Sequence, residues 1–172
     1  MSWIELLEPN LVLGDSIFSL TPEILQQNQL KGLVLDVDET LVPIHATTTS
    51  EDLQRWVAQF KPETSIWLAS NNLSKSRIEK IAQSLEVPYI AGAAKPSRRK
   101  LRHAIAAMAL PINQVAMVGD RVFTDVLVGN RLGMFTILVE PIVDAGQSPR
   151  HLLRSFEVWL SKTLGASLPP KK

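Results

Sequence analysis

The sequence has no cysteine among its 172 residues, a single tyrosine, and almost no excess of either charge. The lack of cysteine excludes disulfide bonds and thiolate metal sites. A formal net charge of +1 gives no general attraction to nucleic acid or anionic lipid, so any such attraction has to be local. No apolar run approaches the roughly 20 residues that cross a bilayer. Acids stand where a secretory signal would be basic, so we expect a cytosolic protein that at most touches a membrane surface.

Short apolar runs alternate with amphipathic segments along most of the chain. The runs predict strands at 32–36, 65–70, 87–90, 114–118 and 134–139. Apolar residues recur at helical spacing within 53–60, 78–85, 97–109, 122–132 and 152–160. This alternation predicts an α/β fold with a three-layer, doubly wound parallel sheet. The length suits one domain over 1–172, with 1–30 as an N-terminal extension and 165–172 as a frayed tail.

Two acids follow the first predicted strand, in the segment LVLDVDETL. One residue separates Asp36 from Asp38, so on a regular strand both side chains would face the same way. Two carboxylates at the carboxyl end of a buried strand offer a Mg²⁺ site, a nucleophile and a proton carrier. Taken alone, the pair is more simply explained as an acidic turn after a strand, and the residues at the other strand ends have to decide between the two interpretations.

Polar residues also follow the second and third predicted strands. Ser70 and Asn71 either cap a helix or bind phosphoryl oxygens through a hydroxyl and a backbone N–H near a helix N-terminus. Lys95 is the first cation after the third strand and precedes Pro96, which starts the next helix. Lys95 is either solvated surface or a cation that offsets phosphate charge beside the two acids.

The fourth predicted strand is followed by Gly119, Asp120 and, five residues later, Asp125. The glycine allows a tight turn, and Asp120 is expected beside the first acid pair because such sheets bind ligands beyond the carboxyl ends of their strands. Helix capping by Asp120 and a favourable dipole interaction of Asp125 explain either acid alone. Neither explains why both acids follow a glycine at a strand end.

The ordered set of motifs is more specific than any one of them. Asp-x-Asp-x-Thr, then Ser, then Lys, then Gly-Asp-x₄-Asp, at successive strand ends, resembles the four motifs of the haloacid dehalogenase (HAD) superfamily of phosphohydrolases. The segments LKGLV, TLVP, SNN and GDRVFTDV are similar to the small, cap-less class IIIA group called YqeG-type, whose homologues include phosphatidylglycerophosphate phosphatases. The resemblance covers 30–139, and Glu39 departs from it, since the group often has Asn there.

The resemblance implies a Mg²⁺-dependent phosphomonoesterase that acts through an aspartyl-phosphate intermediate. Asp36 would be the nucleophile, and Asp38 would protonate the leaving group and then activate water. Mg²⁺ would bind Asp36, the backbone carbonyl of Asp38, and Asp120, with Asp125 as a ligand or supporting group. A phosphate dianion that approaches three carboxylates needs such a cation to offset the repulsion.

The resemblance also assigns phosphate binding to four residues, which would hold the oxygens as charge redistributes during transfer. These residues are Thr40, Ser70, Asn71 and Lys95. The intervals between the first three strand ends are nearly filled by one helix each, which leaves no room for a cap domain. We therefore expect an open site and a substrate whose bulk stays outside, such as a lipid head group, a protein or a nucleic acid end.

A basic cluster, RRKLRH at 98–103, starts the helix after Lys95. It is either a solvated helix face or a contact for an anionic membrane surface. It lacks the aromatic residues that stack on single-stranded nucleic acid, so we expect no nucleic acid partner. Apolar residues near the amino terminus are expected to pack on the domain, with a membrane anchor as the alternative; they are Trp3, Ile4, Leu6 and Leu7. With the resemblance, this favours phosphatidylglycerophosphate as substrate, and no obligate protein partner is expected.

Two alternatives stay open at this point. The same chemistry on soluble sugar, nucleotide or protein phosphates would differ from lipid hydrolysis by its independence of detergent or vesicles. A receiver-like or non-catalytic phospho-ligand module, from another class, shares the doubly wound sheet. A receiver would need a phosphorylatable Asp at the end of the 65–70 or 87–90 strand, where none stands, whereas every hydrolase motif residue is present.

Overall fold

A computed structural model of the chain describes residues 3–142. Within this range six strands form one sheet. They are β1 (Leu11–Val12), β2 (Gly32–Leu35), β3 (Ser65–Ala69), β4 (Tyr89–Ile90), β5 (Val115–Gly119) and β6 (Phe135–Leu138). All neighbouring pairs are parallel, in the order β1-β6-β5-β2-β3-β4. The strand with the two acids, β2, therefore lies in the middle of the sheet, between β3 and β5.

Helices connect the strands, as parallel pairing requires. The α-helices are α1 (Pro22–Gln27), α2 (Glu51–Phe60), α3 (Lys75–Leu85), α4 (Arg99–Met108) and α5 (Leu127–Leu132). Local sequence sets several of their ends: the hydroxyl of Ser50 accepts a hydrogen bond from Leu53 N at 3.1 Å and caps α2. Gly133, with φ +80°, ends α5 in the left-handed conformation.

The sheet is covered on both faces because successive strand residues point to opposite sides. Leu33 and Leu35 belong to a buried cluster that includes the apolar sides of α2 and α3. Val34 and Met117 belong to a second cluster, which includes Leu101 of α4. The predicted three-layer α/β fold is confirmed, and α2 and α3 occupy the two intervals in which a cap domain would be inserted.

All five predicted strands are present, with ends that differ from the prediction by at most two residues. The prediction missed β1, a two-residue edge strand. The helix predicted at 122–132 begins with a π-helical turn, Val122–Val126, before α5. The predicted C-terminal helix with Leu152, Phe156, Trp159 and Leu160, and the tail at 165–172, lie outside the described residues.

The N-terminal extension is attached to the edge of the sheet. There β1 pairs with β6, and Asn130 Nδ2 in α5 donates to the backbone oxygen of Leu6 at 3.0 Å. Leu7 is buried, whereas Trp3 is 76% exposed and Ile4 37% exposed. The expectation that this segment packs on the domain is therefore right for Leu7 and wrong for Trp3.

Candidate active site

The carboxyl ends of β2 and β5 bring two acids from distant parts of the chain together. Leu35 is in register with Val118, and Asp36 N donates to Val118 O at 2.9 Å, which extends the pairing by one residue. Asp36 and Asp120 follow these two strands directly and are both buried. The placement beyond adjacent central strands is the one at which parallel sheets bind ligands.

Asp125 completes a cluster of three buried carboxylates. One oxygen from each of Asp36, Asp120 and Asp125 lies within 4.8 Å of the others. Asp125 reaches this position from the π-helical turn, a feature that is frequent at functional sites. A Cβ atom at Gly119 would overlap the carboxyl group of Asp125, so only glycine leaves room for this arrangement.

A buried cation lies against the acid cluster. Lys95 Nζ is 2.5 Å from Asp36 Oδ1 and 2.7 Å from Asp125 Oδ1, and its side chain is only 1% exposed. Among the described residues, Lys95 is the one cation within ion-pair distance of this buried oxygen of Asp125. A carboxylate oxygen has two lone pairs, so Asp125 Oδ1 retains capacity to bind a second cation.

A turn after β2 carries Thr40 back to the same acids. Leu41 N and Val42 N both donate to Val37 O, at 3.0 and 3.2 Å, and close the turn. The hydroxyl of Thr40 then lies 3.1 Å from Asp120 Oδ1 and 3.3 Å from Asp36 Oδ2. Glu39 has φ +65° in this turn, a conformation that Asn adopts more readily than Glu.

The site is electrostatically unusual. Burial raises the pKa of Asp36 to about 6, Lys95 opposes the rise, and Asp125 adds to it. Burial and the charges of Asp36 and Asp125 raise the pKa of Asp120 to about 8. Burial lowers the pKa of Lys95, but Asp125 and Asp36 outweigh this effect and hold that pKa above its usual value. Three ionised acids would carry more negative charge than Lys95 can offset, and the raised pKa values of Asp36 and Asp120 are the consequence.

Asp38 has a different set of partners from Asp36. Its Oδ2 accepts from Ser70 Oγ at 2.7 Å, and its Oδ1 accepts from Arg77 Nη1 at 2.7 Å. The regular strand ends at Leu35, so the strand alternation expected for the two acids does not apply. Both acids nevertheless line one pocket of about 150 Å³.

Asn71 is joined to Lys95 through its side chain. Asn71 Nδ2 donates to Lys95 O at 3.0 Å, and Lys95 N donates to Asn71 Oδ1 at 2.7 Å. The hydroxyl of Ser70 accepts from Asn72 N at 2.9 Å while it donates to Asp38. All eight residues predicted for the site thus come together beyond the carboxyl ends of the strands.

Sequence analysis missed some of the residues around the pocket. Arg77 was missed because charged residues are usually on the surface, yet its spacing from Ile81 and Leu85 puts it on the buried side of α3. That spacing is the signal in the sequence that could have found it. The pocket lining also includes Asn72, Arg121 and Thr124. His45, on the loop after Thr40, is exposed and is not among the pocket residues.

Two further observations bear on partners. A larger open groove of about 920 Å³ lies at the amino ends of β2 and β3, next to Lys31 and Thr64, and contains none of the site residues. In the part of the chain from residue 3 to residue 142, every helix is too short or too polar to cross a membrane.

Comparisons with known proteins agree with this geometry. The model of the HAD-hydrolase-like family matches residues 92–154. The chain is 34% identical over 131 residues to "Probable phosphatase YqeG" of Bacillus subtilis, covering 76% of each protein. It is 33% identical over 151 residues to "Phosphatidylglycerophosphate phosphatase 1, chloroplastic" of Chlamydomonas reinhardtii, which covers 81% of this chain and 56% of that protein.

The fold also has a solved counterpart. The crystal structure of an uncharacterized protein from Listeria monocytogenes serotype 4b superposes with a TM-score of 0.54 and 16% identity, over 78% of this chain and 99% of that one. At this identity the likeness concerns the fold alone.

Proposed function

The chain belongs to the HAD superfamily and is a phosphatase of the YqeG group, and from that premise we propose that it is a Mg²⁺-dependent phosphomonoesterase whose nucleophile is Asp36. The observation that carries the proposal is the convergence of three buried carboxylates and one buried Lys beyond the central strands. Three buried acids around one cation are poorly suited to a structural role, because buried charges need partners and these acids can all ionise only when a further cation is present.

The acid cluster fits a divalent ion with a preference for oxygen. Asp36, Asp120 and Asp125 supply carboxylate oxygens close enough to share one ion, and Asp125 Oδ1 has acceptor capacity to spare. We propose the backbone carbonyl of Asp38 as a further ligand. Bound Mg²⁺ would offset the charge of the phosphate ester and polarise its oxygens.

In the first step we propose that Asp36 attacks phosphorus while the bond to the leaving oxygen breaks. The departing oxygen takes a proton from Asp38, so that an alcohol leaves and an aspartyl-phosphate remains. Lys95 contacts Asp36 and would hold a phosphoryl oxygen together with the backbone N–H of Asn71. The hydroxyls of Thr40 and Ser70 already donate to the two acids, and an arriving phosphoryl group would compete for them.

In the second step water attacks the aspartyl-phosphate. Asp38 takes a proton from this water, phosphate leaves, and the carboxylate of Asp36 is restored. The same Asp38 carboxyl therefore acts as acid and then as base, which returns the site to its starting protonation state.

For the substrate we propose phosphatidylglycerophosphate. The support is the name of the Chlamydomonas relative, of which this chain spans 56%, and an uncapped pocket that leaves the bulk of a substrate outside. An exposed basic edge, defined as Arg98, Arg99 and Arg102, follows Lys95. Leu73, in the loop beside Asn72, is 87% exposed. Exposed cations after β4 and an exposed apolar side chain after β3 both suit an anionic lipid surface, so we also propose peripheral membrane contact.

The test is phosphate release from phosphatidylglycerophosphate in mixed micelles, with Mg²⁺ and with EDTA, beside a panel of soluble phosphomonoesters. We expect Mg²⁺-dependent hydrolysis of the lipid, lost by at least about a hundredfold in Asp36→Asn. Hydrolysis of soluble esters alone would retain the chemistry and reject the lipid. Full turnover by Asp36→Asn would reject the nucleophile, and no Mg²⁺-dependent turnover of any ester would reject the enzyme proposal.

A further inference from the structure

Arg77 is a buried cation that the proposed chemistry does not yet use. Its side chain is 10% exposed and extends from the first turn of α3 toward the turn after β2. Each of its three nitrogens has a different partner: Nη1 donates to Asp38 Oδ1 at 2.7 Å, Nε to Ala46 O at 2.7 Å, and Nη2 to Pro43 O at 3.2 Å. One guanidinium therefore joins the acid to the loop that follows it.

The contacts of Arg77 leave Asp38 with a fixed orientation. Its other oxygen accepts from Ser70 Oγ, and that hydroxyl is itself held by the N–H of Asn72. Both carboxylate oxygens are thus bound by side chains from the β3–α3 segment, seven residues apart in sequence. Locking of this kind is what places a reacting group within the narrow tolerance that catalysis needs.

We propose that Arg77 is a positioning residue for Asp38, so that protonation of the leaving group depends on Arg77; this rests on the proposed function. The planar guanidinium binds three acceptors in fixed directions, whereas the ammonium of Lys is a single point charge and cannot reach all three. Arg77→Lys keeps the charge and removes the geometry. The inference concerns where the Asp38 carboxyl is held.

The chemical step gives this role a specific signature. As the bond between phosphorus and the leaving oxygen breaks, a strongly basic oxygen has to receive the Asp38 proton, while a weakly basic one leaves as the anion. Phenyl phosphate and p-nitrophenyl phosphate differ by one nitro group, and phenolate is the stronger base. A misplaced Asp38 should therefore slow the first ester much more than the second.

The experiment measures kcat/KM of the full chain for both esters in wild type and Arg77→Lys, with Arg55→Lys as the control. Arg55 lies on α2 and is exposed, with a side-chain exposure of 72%. We expect the phenyl to nitrophenyl ratio to fall about tenfold in Arg77→Lys and to stay constant in Arg55→Lys. Both esters are tested on one preparation of each variant. Partial unfolding lowers both rates by the same factor, so it leaves the ratio at its wild-type value. An unchanged ratio in Arg77→Lys would overturn the inference.

A double variant separates this inference from the proposed function. If Arg77 acts through Asp38, Arg77→Lys should change the ratio no further in an Asp38→Asn background. An additional fall there would show that Arg77 acts by another route and reject its role at Asp38. If Asp36→Asn stays fully active, the proposed function fails, whereas an inactive Asp36→Asn with an unchanged ratio in Arg77→Lys rejects the inference alone.

Discussion

Asn71 and Lys95 are joined by two hydrogen bonds, one in each direction between the Asn71 amide and the Lys95 main chain. The bonds connect the loop after β3 to the loop after β4 and place the Lys95 side chain over Asp36. The side-chain amide of Asn71 therefore positions the Lys95 ammonium indirectly, by holding the Lys95 main chain.

Asn71→Ala should lower phosphatase activity because Lys95 loses its backbone support. We expect kcat to fall about tenfold and the free energy of unfolding to fall by about 2 kcal/mol, since each hydrogen bond contributes about 1 kcal/mol. Steady-state kinetics and urea unfolding measure the two effects. The control is Asn113→Ala. Asn113 is exposed and lies just before β5, at the end of the sheet opposite to the site. Equal activity of the two variants would contradict the role of Asn71.

Gly119→Ala should damage the acid cluster by steric overlap with Asp125. We expect a loss of about 1–3 kcal/mol in the free energy of unfolding, the usual effect of overpacking a well-packed site, and loss of Mg²⁺ binding. Thermal unfolding and isothermal titration calorimetry with Mg²⁺ provide the measurements. Gly119→Ala combined with Asp125→Ala should recover stability but not metal binding. Mg²⁺ binding by Gly119→Ala equal to that of the wild type would contradict the prediction, since it would show that the overlap leaves the acid cluster intact.

Stability without metal should fall as the pH rises from about 4 to about 8. The pKa of Asp36 rises from 3.8 to about 6 and that of Asp120 from 3.8 to about 8, so the folded protein binds more protons than the unfolded chain in this range. The stabilisation is fully present below the unfolded pKa and is lost as pH rises through each folded pKa. A change of 1 kcal/mol shifts Tm by about 2–4 °C in a chain of this size.

The corresponding measurement is thermal unfolding in EDTA and in Mg²⁺ at pH 5.5 and pH 8. The Tm in EDTA should be lower at pH 8, and Mg²⁺ should raise Tm more at pH 8, because binding displaces protons from the acids. Asp120→Asn removes one titrating group and should flatten the dependence seen in EDTA. A Tm in EDTA that increases between these pH values would show that the acids are not held in their protonated forms.

The basic edge should direct the enzyme to anionic membranes. Replacing Arg98, Arg99 and Arg102 by Gln should reduce sedimentation with phosphatidylglycerol vesicles by about tenfold or more, since each cation contributes about 1 kcal/mol near such a surface. Turnover of soluble p-nitrophenyl phosphate should change little. The control variant loses the same charge at other exposed positions, because Gln replaces Lys31, Arg55 and Lys80. Equal vesicle binding by both triple variants would reject the basic edge as the contact.

The central features of the fold were predictable because the physical signals were local and strong. The strands β2 and β5 are continuous apolar runs, as expected for strands covered on both faces, and each is followed directly by an acid. Because β2 and β5 are neighbours in the sheet, their parallel pairing then brings Asp36 and Asp120 together. The proposed chemical roles depend on this juxtaposition more than on any single motif.

Other features could not be predicted because tertiary contacts decide them. The strand β1 has only two residues and forms through pairing with β6, so no apolar run in the sequence predicts it. Lys100 belongs to the basic cluster for which the sequence allows a solvated helix face or a membrane contact. Its ammonium instead donates to the carbonyl oxygens of Gly92 at 2.6 Å and Ala91 at 3.2 Å. Arg77 has its buried partners on a loop about 30 residues earlier in the chain. The hydrogen-bond partners of such side chains lie on other segments of the chain, and hydrophobic periodicity does not predict where those segments lie.

The purely parallel sheet also determines when activity can arise during synthesis. Among the strands between residues 3 and 142 no pair is a hairpin, and β2 can pair with β5 only after the intervening segments have been made. Thr40 and Asp120, which share a hydrogen bond, are 80 residues apart in sequence. A nascent chain that ends before β5 therefore holds Asp36 without the two other acids of the cluster, Asp120 and Asp125. Such a chain has no assembled acid cluster, and the capacity to hydrolyse a phosphate ester emerges late, together with the closure of the sheet.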